Sequence, residues 1–381
     1  MKIAYDAKRA FHNFTGLGNY ARNILDGLVK YHPNNEYTLY TPSFNDTRAI
    51  SWAKEHKDLV IRKPRGFFGK IFPSAWRSLF LTKVLEKDRP DIFHGLSHEL
   101  PPNIEKLGIK TVVTIHDLIF MRYPQYFSRI DCKIYERKFR YACQVSDVVL
   151  AICEQTKNDV IEFFDISPEK IQVVYQNCNP LFYETLAFKD LEKIRRKYFL
   201  PFKYLLYIGS LIERKNLLTL LDAMALIQKS CDVPLVIIGE GSSYKKRLKA
   251  KAEQLGISGK VIFLSNVPTE DLPPLYQASA LFIYPSYFEG FGIPIVEAMN
   301  SGTPVITSQG SCFPEVGGDA ALYVDPQEPK DMAEAMMSVL ENPTLREEMI
   351  LKGKAFVKKF HQEKTSLALD ELYKKVLHQK A

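Results

Sequence analysis

The chain has 381 residues, of which 46% are hydrophobic and 25% charged, and its formal net charge at pH 7 is +7. These proportions are those of an ordinary globular protein and exclude a disordered or collagen-like chain. The length predicts two or three domains, with a core large enough to fold without disulfides. The six cysteines include no C-x-x-C pair, so we expect them to be reduced and mostly buried.

The amino terminus reads MKIAYDAKRA. Asp6 and Lys8 interrupt it before an apolar segment could form, so no secretory signal is expected. No apolar run reaches the roughly 18 residues that a membrane-spanning helix needs. We therefore expect a cytoplasmic protein, and its mild positive charge is compatible with a peripheral position on the inner face of the membrane.

Apolar β-type runs alternate with helical patterns through the first half of the chain. We predict helices at 20–30 and 130–143, and strands at 2–6, 37–40, 59–62, 91–94, 111–115, 148–152 and 171–174. Several strands are almost entirely apolar, which is typical of strands buried on both faces of a parallel sheet. The alternation predicts a doubly wound α/β domain.

The pattern then starts again. Helices are predicted from 217 and over 245–254, and strands at 204–209, 235–239, 261–264, 281–284 and 304–307. We therefore predict two α/β domains, 1–180 and 203–360, joined by a linker at 181–202 and followed by charged amphipathic helices. Ligands of such folds bind beyond the carboxyl ends of the strands, so chemistry is expected in the loops that follow strands.

The strongest motif is EGFGIPIVE at 289–297, after a predicted strand. Gly290 and Gly292 allow a tight turn, and Pro294 suits the first turn of a helix. The backbone N–H groups of Gly290, Phe291 and Gly292 would then point outward at a helix N-terminus, an arrangement that binds phosphates. A solvated loop and a surface helix would account for this combination less well.

The two glutamates of this motif are eight residues apart. Glu297 would lie about one turn into the helix, where its carboxylate could accept hydrogen bonds from ribose hydroxyls. Glu289 would lie in the preceding loop, near the reacting part of a bound ligand.

A second motif, GSLIERKN at 209–216, directly follows a predicted strand. Arg214 and Lys215 could bind a pyrophosphate, the arginine as a fork and the lysine as a point charge. Exposed basic pairs are usually only solvated, so this motif is weak by itself. Its value lies in its position at the end of a strand.

Two histidines also follow predicted strands. His116 belongs to TIHDL at 114–118, where Asp117 could orient it, and His98 belongs to HGLSHELP at 94–101. The ends of strands are where catalytic groups lie in α/β folds. A lone histidine is as often structural, so both interpretations stay open. No further ligands complete a metal site around His98.

The segment FTGLGNYA at 14–21 resembles a dinucleotide-binding fingerprint, with Gly16, Gly18 and Ala21 at the matching positions. Its glycines do not follow the preceding strand at once, which disfavours that interpretation. We expect instead a glycine loop that leads into a helix and lets the backbone approach donor phosphates or an acceptor.

Basic and aromatic residues alternate at 62–80, RKPRGFFGKIFPSAWRSLF. This composition suits a membrane interface, with basic groups at lipid phosphates and rings among the headgroups. A loop and helix packed onto the first domain would account for it equally well. No nucleic-acid motif accompanies the segment, so no nucleic-acid partner is expected.

Together these features resemble the retaining glycosyltransferases of family 4, which have the GT-B fold of two Rossmann-like domains facing across a cleft. The resemblance covers nearly the whole chain. The motifs that carry it are an N-terminal glycine loop, a strand-end His-Asp pair, a basic pair and two spaced glutamates, here Gly16 and Gly18, His116 and Asp117, Arg214 and Lys215, and Glu289 and Glu297.

The resemblance implies a role for each element. Lys215 would neutralise the donor diphosphate and Glu297 would hold the ribose, while Glu289 and the amides of 290–292 would hold the donor sugar and its phosphate. His116 would face the sugar, and we count it as catalytic together with Glu289, Arg214 and Lys215.

The nucleotide base would lie against 263–267, which includes Leu264. Many relatives have arginine where this chain has Ser210, so Arg214 would supply the second positive charge. The sequence E-R-K-N at 213–216 resembles that of mannosyltransferase-like members of the family. The final helix, about 361–381, would pack back on the first domain.

We therefore expect a hexosyltransferase that uses GDP-mannose, needs no metal or other cofactor, and acts on a saccharide or lipid-linked saccharide in surface polysaccharide synthesis. Asn19, His98 and Asp117 are the residues expected at the acceptor. No carboxylate nucleophile is evident, so front-face attack with retention is expected. The alternatives are a UDP-sugar donor, a GT-B epimerase, a sugar-binding protein and a nicotinamide dehydrogenase.

Overall fold

The computed structural model describes residues 1–64 and 80–378. It divides into two compact units, Met1–Asn177 with Gln362–Ala381, and Cys178–His361. The predicted linker at 181–202 falls inside the second unit, and the membrane contact predicted at 62–80 falls mostly on residues outside the described ones. No helix in the described ranges is long and apolar enough to cross a membrane.

The first unit contains a parallel sheet of seven strands. The strands are β1 (Lys2–Asp6), β2 (Glu36–Tyr40), β3 (Leu59–Arg62), β4 (Ile92–Gly95), β5 (Lys110–Ile115), β6 (Val148–Ala151) and β7 (Ile171–Val173). Their order in the sheet is β3-β2-β1-β4-β5-β6-β7. The order reverses between β1 and β4, so the loops after these strands meet at a topological switch point.

Helices connect these strands. In the described part of this unit they are α1 (Lys8–His12), α2 (Gly16–Tyr31), α3 (Thr47–Glu55), α4 (Leu81–Asp88), α5 (Ile119–Arg122), α6 (Arg129–Val145) and α7 (Glu154–Phe164). The apolar faces of α4, α6 and α7 join the buried side chains of the sheet in one core.

The C-terminal helix Gln362–His378 belongs to the same unit. The Tyr373 hydroxyl lies 2.7 Å from Nδ1 of the buried His94, and Asp370 accepts a hydrogen bond from Asn35 at 2.9 Å. These long-range contacts tie the end of the chain to its first sheet.

The second unit repeats the design with six parallel strands in the order β10-β9-β8-β11-β12-β13. They are β8 (Leu205–Ile208), β9 (Leu235–Ile238), β10 (Val261–Leu264), β11 (Leu281–Tyr284), β12 (Val305–Ser308) and β13 (Ala321–Val324). The two sheets confirm the predicted α/β class with two doubly wound domains. The sequence patterns did not predict β13, whose short apolar run has no alternation of its own.

The helices of the second unit surround its sheet. They are α8 (Phe188–Lys197), α9 (Leu217–Ile227), α10 (Ser242–Gln254), α11 (Leu272–Gln277), α12 (Ile293–Asn300), α13 (Phe313–Gly317), α14 (Pro329–Glu341) and α15 (Pro343–Phe356). The switch point lies between β8 and β11, so the loops after these two strands are neighbours.

The glycine loop of the first unit packs tightly at the start of α2. The Asn13 side chain accepts hydrogen bonds from the backbone N–H groups of Thr15 (2.9 Å) and Gly18 (3.2 Å). A Cβ atom on Gly18 would lie 1.7 Å from the Asn13 carbonyl oxygen, whereas one on Gly16 would meet no atom within 4 Å. Gly18 is therefore required for close packing of the chain on itself.

We expect Gly18→Ala to lower the free energy of unfolding by about 3 kcal/mol, because backbone must move to admit the methyl group. The matched change Gly16→Ala should alter it by less than about 0.5 kcal/mol, as surface substitutions usually do. Urea denaturation followed by circular dichroism measures both. Equal stability of the two variants would contradict this packing role.

Candidate active site

A buried cluster of charged side chains occupies the switch point of the second unit. Lys215 ends a short 3-10 turn after β8, and Glu289 follows β11. The Lys215 Nζ donates to Oε1 of Glu289 at 2.5 Å and to the Tyr284 hydroxyl at 2.6 Å. Arg214 Nη1 lies 2.9 Å from the same Oε1 atom and also donates to the Phe288 carbonyl. The structure thus brings together the basic pair and the first glutamate of the two motifs.

The charged side chains of this cluster shift one another's pKa values. Burial alone would raise the pKa of Glu289, but Lys215 and Arg214 more than offset this and lower it to about 2. Burial lowers the pKa of Lys215, and the Glu289 carboxylate opposes that shift. Glu289 is therefore ionised throughout the physiological range. Two cations share a single carboxylate, so the cluster is suited to a further anion such as a diphosphate.

The turn after Glu289 leads directly into α12. Gly292 has a φ of +96°, in the left-handed region that favours glycine, and Pro294 occupies the first turn of the helix. The Phe291 side chain is buried and packs edge-on against Phe360, with ring centroids 5.4 Å apart. The Phe291 ring therefore anchors the turn in the core.

Two residues after β12 hold this turn, and the sequence patterns did not predict them. The Glu289 N–H donates to Ser311 Oγ at 3.3 Å, and Cys312 Sγ donates to the Phe291 carbonyl at 3.0 Å. Because β12 is the neighbour of β11, its following loop reaches the same place. The signal that could have found them is the rule that loops after adjacent parallel strands meet.

Glu297 lies on α12, partly buried. Its Oε2 accepts a hydrogen bond from the Tyr276 hydroxyl at 3.0 Å. Burial raises the pKa of its carboxyl to about 7, against the opposing effect of the Tyr276 hydrogen bond. The two glutamates of one motif therefore differ in charge state near neutral pH. Glu289 is fixed as an anion, and Glu297 is balanced between its two forms.

The other predicted donor residues of this unit also lie at strand ends. Ser210 is exposed and lies two residues beyond β8, and Leu264 is the partly buried last residue of β10. Both lie at the carboxyl edge of the sheet, where Lys215 and Glu289 are found.

His116 of the first unit is buried directly after β5 and has 3% of its surface exposed. Its Nε2–H donates to the Leu96 carbonyl at 2.9 Å, and its Nδ1 accepts from the Gln176 amide at 3.3 Å. Tyr20 packs edge-on against the ring at a centroid distance of 4.5 Å. Burial lowers the pKa of His116 to about 4, so the ring is neutral.

His98 also lies inside the unit. Its ring stacks on Phe139 at a centroid distance of 4.3 Å, and the residue is buried with a φ of +63°. The centroids of the His98 and His116 rings are 5.0 Å apart, so the structure brings the two predicted histidines together. His98 therefore contributes to the packing of this unit, and its contact with the acceptor stays a prediction.

The remaining predicted residues bond within their own segments. Asn19, exposed on α2, accepts a hydrogen bond from Arg22 at 2.6 Å. Asp117 accepts one from the backbone N–H of Ile119, the first residue of the short helix α5, at 3.1 Å. Among the described residues, no group of three or more His, Cys, Asp or Glu side chains could hold a metal ion.

Two family models match the chain. That of Glycosyltransferase Family 4 covers residues 14–177, and that of Glycosyl transferases group 1 covers residues 190–356. The first match lies in the first unit and includes β2 to β7, and the second match lies in the second unit and includes all six of its strands.

Similar sequences include two mannosyltransferases. The O-antigen chain mannosyltransferase B of Escherichia coli is 28% identical, and the match covers 98% of this chain and 100% of that protein. The O-antigen chain mannosyltransferase RfbU of Salmonella typhimurium is 30% identical over 61% of each chain.

Similar solved structures share the fold at low identity. Anabaena HepE in complex with UDP and glucose has a TM-score of 0.75 at 19% identity, over 98% of this chain and 100% of that one. WaaG, a glycosyltransferase involved in lipopolysaccharide biosynthesis, has a TM-score of 0.70 at 18% identity over 100% of both chains.

The raised pKa of Glu297 predicts a pH-dependent stability. Its pKa of about 7 in the folded protein exceeds the ordinary value of 4.5, so the folded state holds the proton more tightly. The protonated carboxyl therefore contributes to the free energy of unfolding. This contribution is fully present below about pH 4.5 and is lost as the pH rises through 7. Glu297→Gln cannot ionise and keeps an acceptor for Tyr276, so it avoids this loss.

Relative to the parent, the free energy of unfolding of Glu297→Gln should therefore increase by roughly 3 kcal/mol between about pH 4.5 and pH 8. Urea denaturation at both pH values measures this difference. The exposed residue Glu347 provides the control, since Glu347→Gln should show no such trend. A pH-independent difference for Glu297→Gln would refute the assigned protonation.

Proposed function

Since the chain belongs to glycosyltransferase family 4 and has the GT-B fold, we propose that it transfers mannose from GDP-mannose to a saccharide or lipid-linked saccharide acceptor in surface polysaccharide synthesis. The observation that carries the proposal is the buried cluster of Arg214, Lys215 and Glu289 at the switch point of the second sheet. The names of the two bacterial relatives favour mannose and an O-antigen type of product.

The cluster accounts for the bond that breaks. Cleavage of the sugar C1–O bond leaves positive charge on the sugar ring, while the electron pair goes to the diphosphate oxygen. Lys215, Arg214 and the amides of 290–292 would stabilise the new negative charge. Such preorganised electrostatic stabilisation is usually the largest contribution to catalysis. The diphosphate would take over hydrogen bonds that Glu289 accepts in this structure.

Retention of configuration is part of the proposal. Glu289 is a weak nucleophile, because its two cationic partners hold its pKa at about 2. A covalent glycosyl intermediate on this residue is therefore disfavoured. We infer instead that the acceptor hydroxyl attacks C1 on the face that the diphosphate leaves, and that its proton goes to the departing phosphate. Glu289 would contact the donor sugar.

Glu297 suits the ribose of the donor. A carboxyl with a pKa of about 7 that already accepts one hydrogen bond from Tyr276 would accept two more from the ribose hydroxyls as an anion. These bonds favour the charged form, so donor binding would lower its pKa. The base would lie near Leu264, and Ser210 would border the phosphates.

The first unit would bind the acceptor. Asn19, exposed on α2, and Asp117 after β5 are the proposed contacts. His116 is neutral, and its Nε2–H is already engaged by the Leu96 carbonyl. We therefore assign it a hydrogen bond to the transferring sugar through Nδ1, in place of Gln176, and not proton donation.

All six cysteines are unpaired, which supports a cytoplasmic site of action.

Lys215→Met should lower the rate of mannosyl transfer from GDP-mannose by about 100- to 1000-fold, the loss typical of removing one charge-stabilising donor. Methionine fills the site, and Arg214 still neutralises Glu289, so the protein should fold. The matched control is Lys246→Met on the exposed face of α10, which should keep full activity. Unchanged transfer by a folded Lys215→Met would exclude the proposed donor site.

GDP should raise the melting temperature more than UDP or ADP, because a ligand that binds only the native state stabilises it by mass action. At about 100 times its Kd the expected stabilisation is about 2.7 kcal/mol. A thermal-shift panel of the three diphosphates measures it. A larger shift with UDP would indicate a UDP-sugar donor and leave the proposed transferase activity in place. Formation of an epimerised sugar from the donor without any acceptor would indicate an epimerase instead of a transferase.

A further inference from the structure

The second unit exposes three phenylalanines close together at 188–203. Phe188, Phe199 and Phe202 have 65%, 93% and 75% of their surfaces exposed. The guanidinium of the buried Arg195 lies 5.9 Å from the centre of the Phe188 ring and 4.3 Å from that of Phe202. Both rings therefore lie near the same guanidinium, although Phe202 follows the end of α8. Three large rings are thus exposed within sixteen residues of sequence, and packing of the unit's core does not account for them.

The conformation of Phe199 strengthens this point. The helix ends with hydrogen bonds from the Phe199 N–H to the Arg196 carbonyl and from the Leu200 N–H to the Arg195 carbonyl. This is a Schellman motif, in which the position of Phe199 usually holds glycine. Phe199 has a φ of +53°, which costs an ordinary residue about 1 kcal/mol. The Phe199 ring therefore gains almost no burial on folding, and the backbone of this residue adopts a conformation that glycine would adopt at lower cost.

Positive charge surrounds the rings. Segment 188–203 contains six basic residues and two acidic ones. Lys189, Lys193 and Arg196 are exposed at helical spacing, and with Phe188 and Glu192 they line a shallow surface cavity of about 460 Å³. Glu192 is paired with Arg195. Glu192 also lies 4.0 Å from Arg196, and Lys193 borders a second cavity that Asp190 and Asp271 line. The positive character of the segment therefore rests on its excess of six basic residues over two acidic ones.

The opposite side of α8 is anchored to its own unit. Ile194 and Arg195 are buried, and the Tyr198 hydroxyl donates to Asp271 at 2.5 Å. Lys197 pairs with the same carboxylate. The helix is thus held in place by one side, while the other presents rings and cations outward.

We propose that the exposed residues Phe188, Lys189, Lys193, Arg196, Phe199 and Phe202 form a docking surface for an anionic phospholipid bilayer. The rings enter the headgroup layer and the cations bind lipid phosphates. A second copy of the chain fits poorly, because a two-fold contact would place like charges opposite each other. The proposal does not depend on the transfer reaction, and the surface differs from the segment 62–80.

The test uses the full chain and vesicles of equal parts phosphatidylcholine and phosphatidylglycerol in a sedimentation assay at low salt. Phe199→Gly should weaken vesicle binding about ten-fold, because one ring no longer enters the interface. The same variant should be at least as stable as the parent, because glycine suits the left-handed position. A structural role for Phe199 would instead lower stability.

The charges are tested by a triple variant, Lys189→Gln with Lys193→Gln and Arg196→Gln. It should bind the vesicles about 100-fold more weakly, at about five-fold per cation. The matched control neutralises the exposed lysines Lys330, Lys352 and Lys358 and so makes the same change in net charge at other places. The control should keep most of the binding of the parent.

Parent-like vesicle binding by both test variants would overturn the proposal. So would an equal loss in the triple control, because charge alone would then account for binding. Two further results would assign the surface to another partner: binding of a single-stranded oligonucleotide in preference to vesicles, or a dimer of the parent that Phe199→Gly dissociates. The GDP-induced thermal shift of Phe199→Gly should equal that of the parent, so failure here is distinguishable from failure of the proposed transfer.

Discussion

The second unit depends on a buried carboxylate that two cations share. Glu289 connects the loop after β11 with the loop after β8 through Lys215 and Arg214. Buried ion pairs add little stability, because removing charges from water costs about as much as their attraction returns. An apolar cluster would hold the two loops together at least as well. The charges are therefore better explained by an anionic ligand that competes with Glu289 for Lys215 and Arg214.

The first unit also contains a doubly wound parallel sheet, but the side chains that we assign to its site are uncharged histidines instead of an ion cluster. Its strand-end histidines are neutral, because burial lowers the pKa of His116 to about 4 and that of His98 well below the ordinary value. Their partners are a carbonyl, an amide and aromatic rings rather than ions. A neutral polar site suits an uncharged saccharide, whereas the charged cluster suits a diphosphate. The difference follows from side chains at strand ends, since the sheets themselves are alike.

The strands could be predicted because their signal is local. Continuous short apolar runs such as those of β6 and β9 are typical of strands buried on both faces of a parallel sheet. The contacts of the site could be predicted only in part, because they join residues far apart in sequence. The rule that strand ends meet was enough to connect Lys215 with Glu289. It did not reveal Ser311 and Cys312, whose loop has no charged or glycine-rich motif to mark it.

Composition also fails to separate a docking surface from a core. The segment 356–360 reads FVKKF and has the same mixture of rings and lysines as 188–203. Yet Phe360 is fully buried against Phe291, and Lys359 lies 3.9 Å from the centre of the Phe356 ring. In this segment Phe360 belongs to the core, and Lys359 lies over the ring of the partly buried Phe356. What distinguishes 188–203 is that its rings stay exposed, one of them in a backbone conformation that favours glycine. A sequence pattern cannot express either property, because both depend on where the helix ends and on which side it packs.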